Sequence, residues 1–159
     1  MAGQQLVLHE IEFNQIRAVC NRLVRESNSR VVMVIDRNGQ VIAGSDGSIG
    51  MDVVSLGSLV AGDVAATAGL AKLLGEREFS VLFHEGERDH LHITLVGPRV
   101  VLAVIFDGRS TLGLVRLRVK KAAEDVGRLF EMVEKRSAQQ SSNMSEITEA
   151  DIDTLFSEL

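Results

Sequence analysis

Few side chains in these 159 residues are of a type that does chemistry. Three of the four histidines, His84, His90 and His92, stand close together. His90 and His92 have the spacing of one strand face, and His84 lies across a predicted turn, its facing set by register. A zinc site needs three or four ligands, and no cysteine or Glu pair converges on these two by spacing. They read as exposed strand residues. Cys20, the single cysteine, falls on the apolar stripe of a predicted helix, where a thiol is a small core hydrophobe and not a nucleophile. The chain contains no G-x-S-x-G elbow, and nothing marks a Ser–His–Asp set. "GLAKLLG" lacks the order of a phosphate-binding loop, and "GSDGSIG" follows a hairpin strand instead of opening a βαβ unit. Arg109, in the loop "DGRS", could serve as an arginine finger, although most loop arginines are simply solvated. These residues predict no catalytic site, no metal and no cofactor.

Binding surfaces are better marked. "SLVAGDVAATAGLAKLLG", from Ser58 to Gly75, has no aromatic residue and carries Gly62 and Gly69 inside a predicted helix. Each such glycine costs roughly 0.5–1 kcal/mol relative to alanine. Ala61, Ala65, Ala68, Gly69 and Lys72 recur at spacings near three and four and form one broad small-residue face; Leu56, Leu59, Val60, Val64, Leu70 and Leu73 form another. A helix lying on a sheet needs one apolar stripe. The second predicts a protein–protein surface, the alternative being tight packing within one subunit. Arg116, Arg118, Lys120 and Lys121 form a basic run suited to an acidic partner or to a solvated helix face.

The elements that position these residues follow from periodicity. Phe13, Ile16, Cys20, Leu23 and Val24 predict a helix over 10–28, stopped by Asn28. Asn38-Gly39 between two apolar runs predicts a hairpin with strands at about 30–36 and 40–45, both turn residues taking positive φ. Asp52 or Ser55 can cap the following helix. Three strands come next, with turns at Gly86 and at Gly97-Pro98. Ser110 or Thr111 caps a last helix whose stripe is Val115, Val119, Ala122, Val126, Leu129, Phe130 and Val133, ending near Arg136. The order is αββαβββα: an α/β (α+β sandwich) chain with one five-stranded antiparallel sheet and helices on both faces.

Residues 1–136 read as the domain, 137–146 as a flexible polar linker, and 147–159 as a short C-terminal amphipathic helix. In that helix Thr148 and Asp151 suit a capping box, Ile147 and Ile152 a hydrophobic staple, and Ile152, Leu155, Phe156 and Leu159 one apolar face among acids. A helix this short is marginal alone. It suits docking into a partner's groove, or folding back on its own domain.

Composition narrows the setting. A net charge of -5 argues against a nucleic-acid binder. One cysteine allows no internal disulfide and suits a reducing cytoplasm. "MAGQQLVLHEIEF" lacks the basic start and apolar run of a signal peptide. No apolar stretch is counted near the ~20 residues that span a bilayer.

Element order and motifs together carry a resemblance. Over most of its length, in "FNQIRAVCNRL", "VIDRNGQVI", "SLVAGDVAATAGLAKLLGEREF", "FHEG", "RVVLAVIFDGRSTLGLVRLRVKKA" and "ITEADIDTLFSEL", the chain resembles the roadblock (dynein light chain type) domain family. Within that family it is most similar to bacterial polarity regulators. The resemblance implies a homodimer that pairs its central helices and joins edge strands. It implies GTPase activation of a bacterial Ras-like small GTPase, MglA-like and preferentially GTP-bound, by reshaping its switch regions without an arginine finger. By the same likeness Ala61, Ala65, Ala68, Gly69 and Lys72 meet the GTPase, and Ile152, Leu155 and Phe156 anchor a C-terminal helix that aids affinity and nucleotide exchange. A cytoplasmic protein concentrated at a cell pole, controlling polarity and gliding motility, is implied as well. A non-catalytic roadblock scaffold is the alternative.

Overall fold

The computed structural model describes residues 7–157. Helix α1 (Glu10–Ser27) precedes β1 (Val31–Asp36), β2 (Val41–Gly44), a 3-10 turn at Asp46–Ser48 and helix α2 (Val53–Leu73); β3 (Val81–Glu85), β4 (His90–Val96), β5 (Val100–Phe106) and helix α3 (Leu112–Ser157) follow. The strands form one sheet in the order β2-β1-β5-β4-β3. Every neighbouring pair is antiparallel. The αββαβββα reading and the five-stranded antiparallel sheet with helices on both faces are therefore those of the structure.

Local chemistry sets the boundaries. Asn28 ends α1 in the left-handed conformation, with φ 51°. Asp52 caps α2 by accepting from the Ser55 amide at 3.2 Å, and Thr111 caps α3 by accepting from the Leu114 amide at 3.2 Å. The first hairpin departs from the expected two-residue turn. Only Gly39 takes positive φ there, at 98°, while Asp36 accepts from the Asn38 amide at 2.7 Å. That local side-chain bond holds the turn in a longer loop closed by the Asp36 amide on the Gln40 carbonyl, at 2.8 Å.

The sheet separates two unequal cores. On one side α1 and α3 lie together over Val32, Val34, Leu102, Val104 and Phe106, contributing Ile16, Cys20, Leu23, Val115, Val126 and Phe130. Arg22 binds Asp125 at 2.5 Å across the two helices, and Arg136 pairs with Glu12. On the other side α2 alone covers Met33, Ile35, Ile93, Val101 and Ala103, with Val60 and Val64 as its buried contacts.

Two expectations change. Helix α3 continues through 137–146, where a flexible polar linker is predicted. That segment has no glycine or proline, so nothing in it interrupts the hydrogen-bond ladder once the preceding turns are helical. Among the described residues Val133 is the last buried residue of α3, and Arg136 pairs with Glu12 of α1. Second, α2 has 21 residues and is long and apolar enough to cross a membrane, although no such stretch is counted in the sequence. Its Ser55, Ser58, Asp63, Thr67 and Lys72 break the run by eye and leave its average apolarity high. Here it is one layer of the domain, with Gly57, Val60, Val64 and Ala71 buried.

Candidate functional site: the outer surface of the central helix

Helix α2 is held down along one stripe. Gly57 abuts Gly39 of the β1–β2 turn so closely that a side chain on Gly57 would run into the Gly39 carbonyl. Val60, Val64 and Ala71 continue the stripe over the sheet. Toward β3 the anchor is polar: Asp63 Oδ2 lies 2.6 Å from His84 Nε2.

Much of the helix outside that stripe is exposed. Ala61 is half-buried; Ala65, Ala68, Gly69 and Lys72 are exposed. These five lie on the flank that carries Gly57 and its contact with the β1–β2 turn, at spacings of four, eight, eleven, twelve and fifteen from Gly57. A Cβ added at Gly62 or Gly69 would meet nothing within 4 Å. The smoothness of the helix therefore answers no packing need inside this chain.

The opposite flank corrects the sequence reading. Leu59, Leu70 and Leu73 are grouped there with Val60 and Val64, but the structure leaves them 72%, 56% and 85% exposed. At 100° per residue Leu59 and Leu70 sit 80–100° away from Val60, enough to lift them off the sheet. Leu59 and Leu70 share the side of the helix that carries Asp63, whose partner His84 is on β3, an edge strand with Val81 also exposed. A helical-wheel projection would have separated these leucines from the core stripe; the spacing count alone did not.

The second group, Ile152, Leu155 and Phe156, is exposed on the last turns of α3. Leu159 lies outside the described residues, as do the side chains of Ile147 and Thr148. The fold does not bring the two groups together, because α2 and α3 cover opposite faces of the sheet.

The reactive side chains are accounted for. Arg109 donates to Asp107 through Nε and Nη2, both at 3.0 Å, and this pairing holds the Asp107 carboxyl below its ordinary range. Cys20 is buried, which pushes its thiol up to about 12. His92 is not an exposed strand residue: it is 1% exposed, facing the α1–α3 side, and His90 is half-buried, its ring 5.1 Å from Phe106. Burial, reinforced by Arg116, lowers the His92 pKa and keeps the ring neutral. Among the described residues no three His, Cys, Asp or Glu side chains gather as a metal site. An open cavity of about 350 Å³ lies between the start of α2 and the β3–β4 hairpin, lined by Met51, Leu56, His84 and Leu91 beside the Arg30–Asp89 pair.

Comparison with known proteins agrees with this geometry. Residues 15–106 match the Roadblock/LC7 domain. MglB of Myxococcus xanthus is similar at 53% identity and TM-score 0.75, over 80% of this chain and 96% of that one. The gliding protein MglB of Thermus thermophilus is similar at 36% identity and TM-score 0.75, over 80% and 97%. A further MglB, solved in a tetrameric arrangement, is similar at 35% identity and TM-score 0.76, over 81% and 97%. No curated protein sequence matches.

Proposed function

The chain belongs to the Roadblock/LC7 family, and from that premise we propose that it acts as an MglB-like homodimer that activates a Ras-like small GTPase of the MglA type. The observation that carries this reading is the bare outer surface of α2, apolar on both flanks and smooth at its crest. Its two flanks suit two partners. Leu59, Leu70 and Leu73 are exposed and β3 has a free edge, so a second copy that pairs both edge to edge and helix to helix buries these leucines. Ala61, Ala65, Ala68 and Gly69, with Lys72 at the end, leave a shallow face that admits the backbone of a GTPase switch region.

The mechanism draws no catalytic group from this chain. The bidentate pairing of Arg109 with Asp107 supports a route without an arginine finger. Activation then comes from reshaping the switches until the GTPase's own residues reach the nucleotide, which is positioning and not covalent chemistry. In this reading residues 1–136 form the body and 137–146 carry the tail away from it. Ile152, Leu155 and Phe156 grip the GTPase away from its switches, adding affinity and bearing on nucleotide exchange. The setting is cytoplasmic, at a cell pole, in the control of polarity and gliding motility.

The test is affinity for the GTPase loaded with a non-hydrolysable GTP analogue or with GDP. Tight binding is expected with the analogue and weak binding with GDP. Ala65→Arg with Gly69→Arg abolishes it while circular dichroism stays unchanged. Normal binding by the doubly substituted protein contradicts the assignment of the small-residue flank.

A further inference from the structure

Four cations stand together over the first turns of α3: Arg116, Arg118, Lys120 and Lys121. All are exposed, and between them Leu117 is 61% exposed. Several arginines elsewhere have acidic partners: Arg17 with Asp46, Arg22 with Asp125, Arg30 with Asp89, Arg136 with Glu12. Among the described residues, no carboxylate stands in an ion pair with any of the four. They lie just past the first turn of α3, and that turn holds no acid to neutralise them. A net charge of -5 makes this basic, partly apolar island the more distinct.

The far end of the same helix has the complementary character. Asp151 and Asp153 are exposed beside exposed Ile152, Leu155 and Phe156, and the sequence adds Glu146, Glu149 and Glu158. We propose that this C-terminal segment of one copy docks on the basic start of α3 in a second copy, its acids against Lys120 and Lys121 and its apolar side chains against Leu117. The two ends of one helix cannot meet: Asp153 lies 33 positions beyond Lys120, about 50 Å along a continuous helix. A lipid surface or a nucleic acid fits less well, because every copy carries its own acidic end and would be repelled. The contact uses the same apolar side chains that the proposed function gives to the GTPase, so the two compete, and the test is made with no GTPase present.

The test is sedimentation velocity of the full chain at about 50 mM and about 500 mM salt, a range over which exposed charge pairs are progressively screened. At low salt Lys120→Glu with Lys121→Glu weakens self-association by about tenfold or more, and Asp151→Lys with Asp153→Lys does the same. The protein carrying all four changes regains it. All four side chains are exposed, so circular dichroism stays unchanged in each. Masses unaffected by either reversal overturn the proposal, whether the segment then folds back on its own body or the patch instead captures phosphatidylglycerol vesicles. Failure of the fourfold variant to recover overturns the pairing equally.

Discussion

The two sides of the sheet are finished to different degrees. On one, α1 and α3 close over a continuous core, tied by Arg22–Asp125 and Arg136–Glu12. On the other, α2 seals the sheet with one stripe and turns Leu59, Leu70, Leu73, Gly62 and Gly69 to solvent. Exposed leucines and interior glycines both work against the stability of an isolated chain. Their concentration on one helix separates a side that holds the domain together from a side that leaves apolar surface open.

The largest effect expected to test that contrast is on the closed side. Phe106 is 2% exposed in the larger core, and Phe106→Ala destabilises by about 3–5 kcal/mol, read as a fall in the urea midpoint. On the open side, Leu70→Glu with Leu73→Glu leaves the monomer folded but removes about 2 kcal/mol or more from self-association, read by light scattering across concentration. A monomer unfolded by those two changes would erase the distinction. Within α2 the glycines divide the same way. Gly57→Ala drives a methyl into the Gly39 carbonyl and costs about 1–3 kcal/mol. Gly62→Ala meets nothing and stabilises the isolated chain by about 0.5–1 kcal/mol, while making any docked partner stand further off. Thermal midpoints at low protein concentration separate the two.

The smallest effect is a pH dependence from the closed side. His92 is neutral in the fold because burial and Arg116 disfavour its imidazolium, so its folded pKa is lower than its unfolded one, ordinarily about 6.5. The unfolded chain therefore binds the extra proton. Stability from this residue is complete above about pH 6.5 and is lost as pH falls through the folded value. Urea midpoints at several pH values below 6.5 should fall less in His92→Leu than in the native chain. Parallel falls would remove His92 as the cause.

Much of this contrast is legible in the sequence where a residue answers to local chemistry. Asn28 as a stop, Asp52 and Thr111 as caps, and the α3 stripe from Val115 to Val133 all follow from spacing and backbone preference. Losses occur where an answer depends on what packs above a residue. His90 and His92 sit on a strand face that reads the same whether α3 covers it or not. Leu59, Leu70 and Leu73 look like core in a helix so rich in apolar residues that several stripes fit. The polar run over 137–146 looks like a linker because its composition is polar, although nothing in it stops a helix already under way. The small-residue flank was visible from the start, since glycine and alanine at helical spacing announce close approach. What approaches it is not written in the chain.

GTP turnover by the cognate Ras-like GTPase, with and without this protein, tests the central claim most directly. The account predicts a rise of about tenfold or more, equivalent to at least about 1.4 kcal/mol off the barrier, and its loss with Ala65→Arg and Gly69→Arg. A GTPase that binds but hydrolyses at its unstimulated rate would contradict activation and leave a scaffold whose smooth helix face serves docking alone.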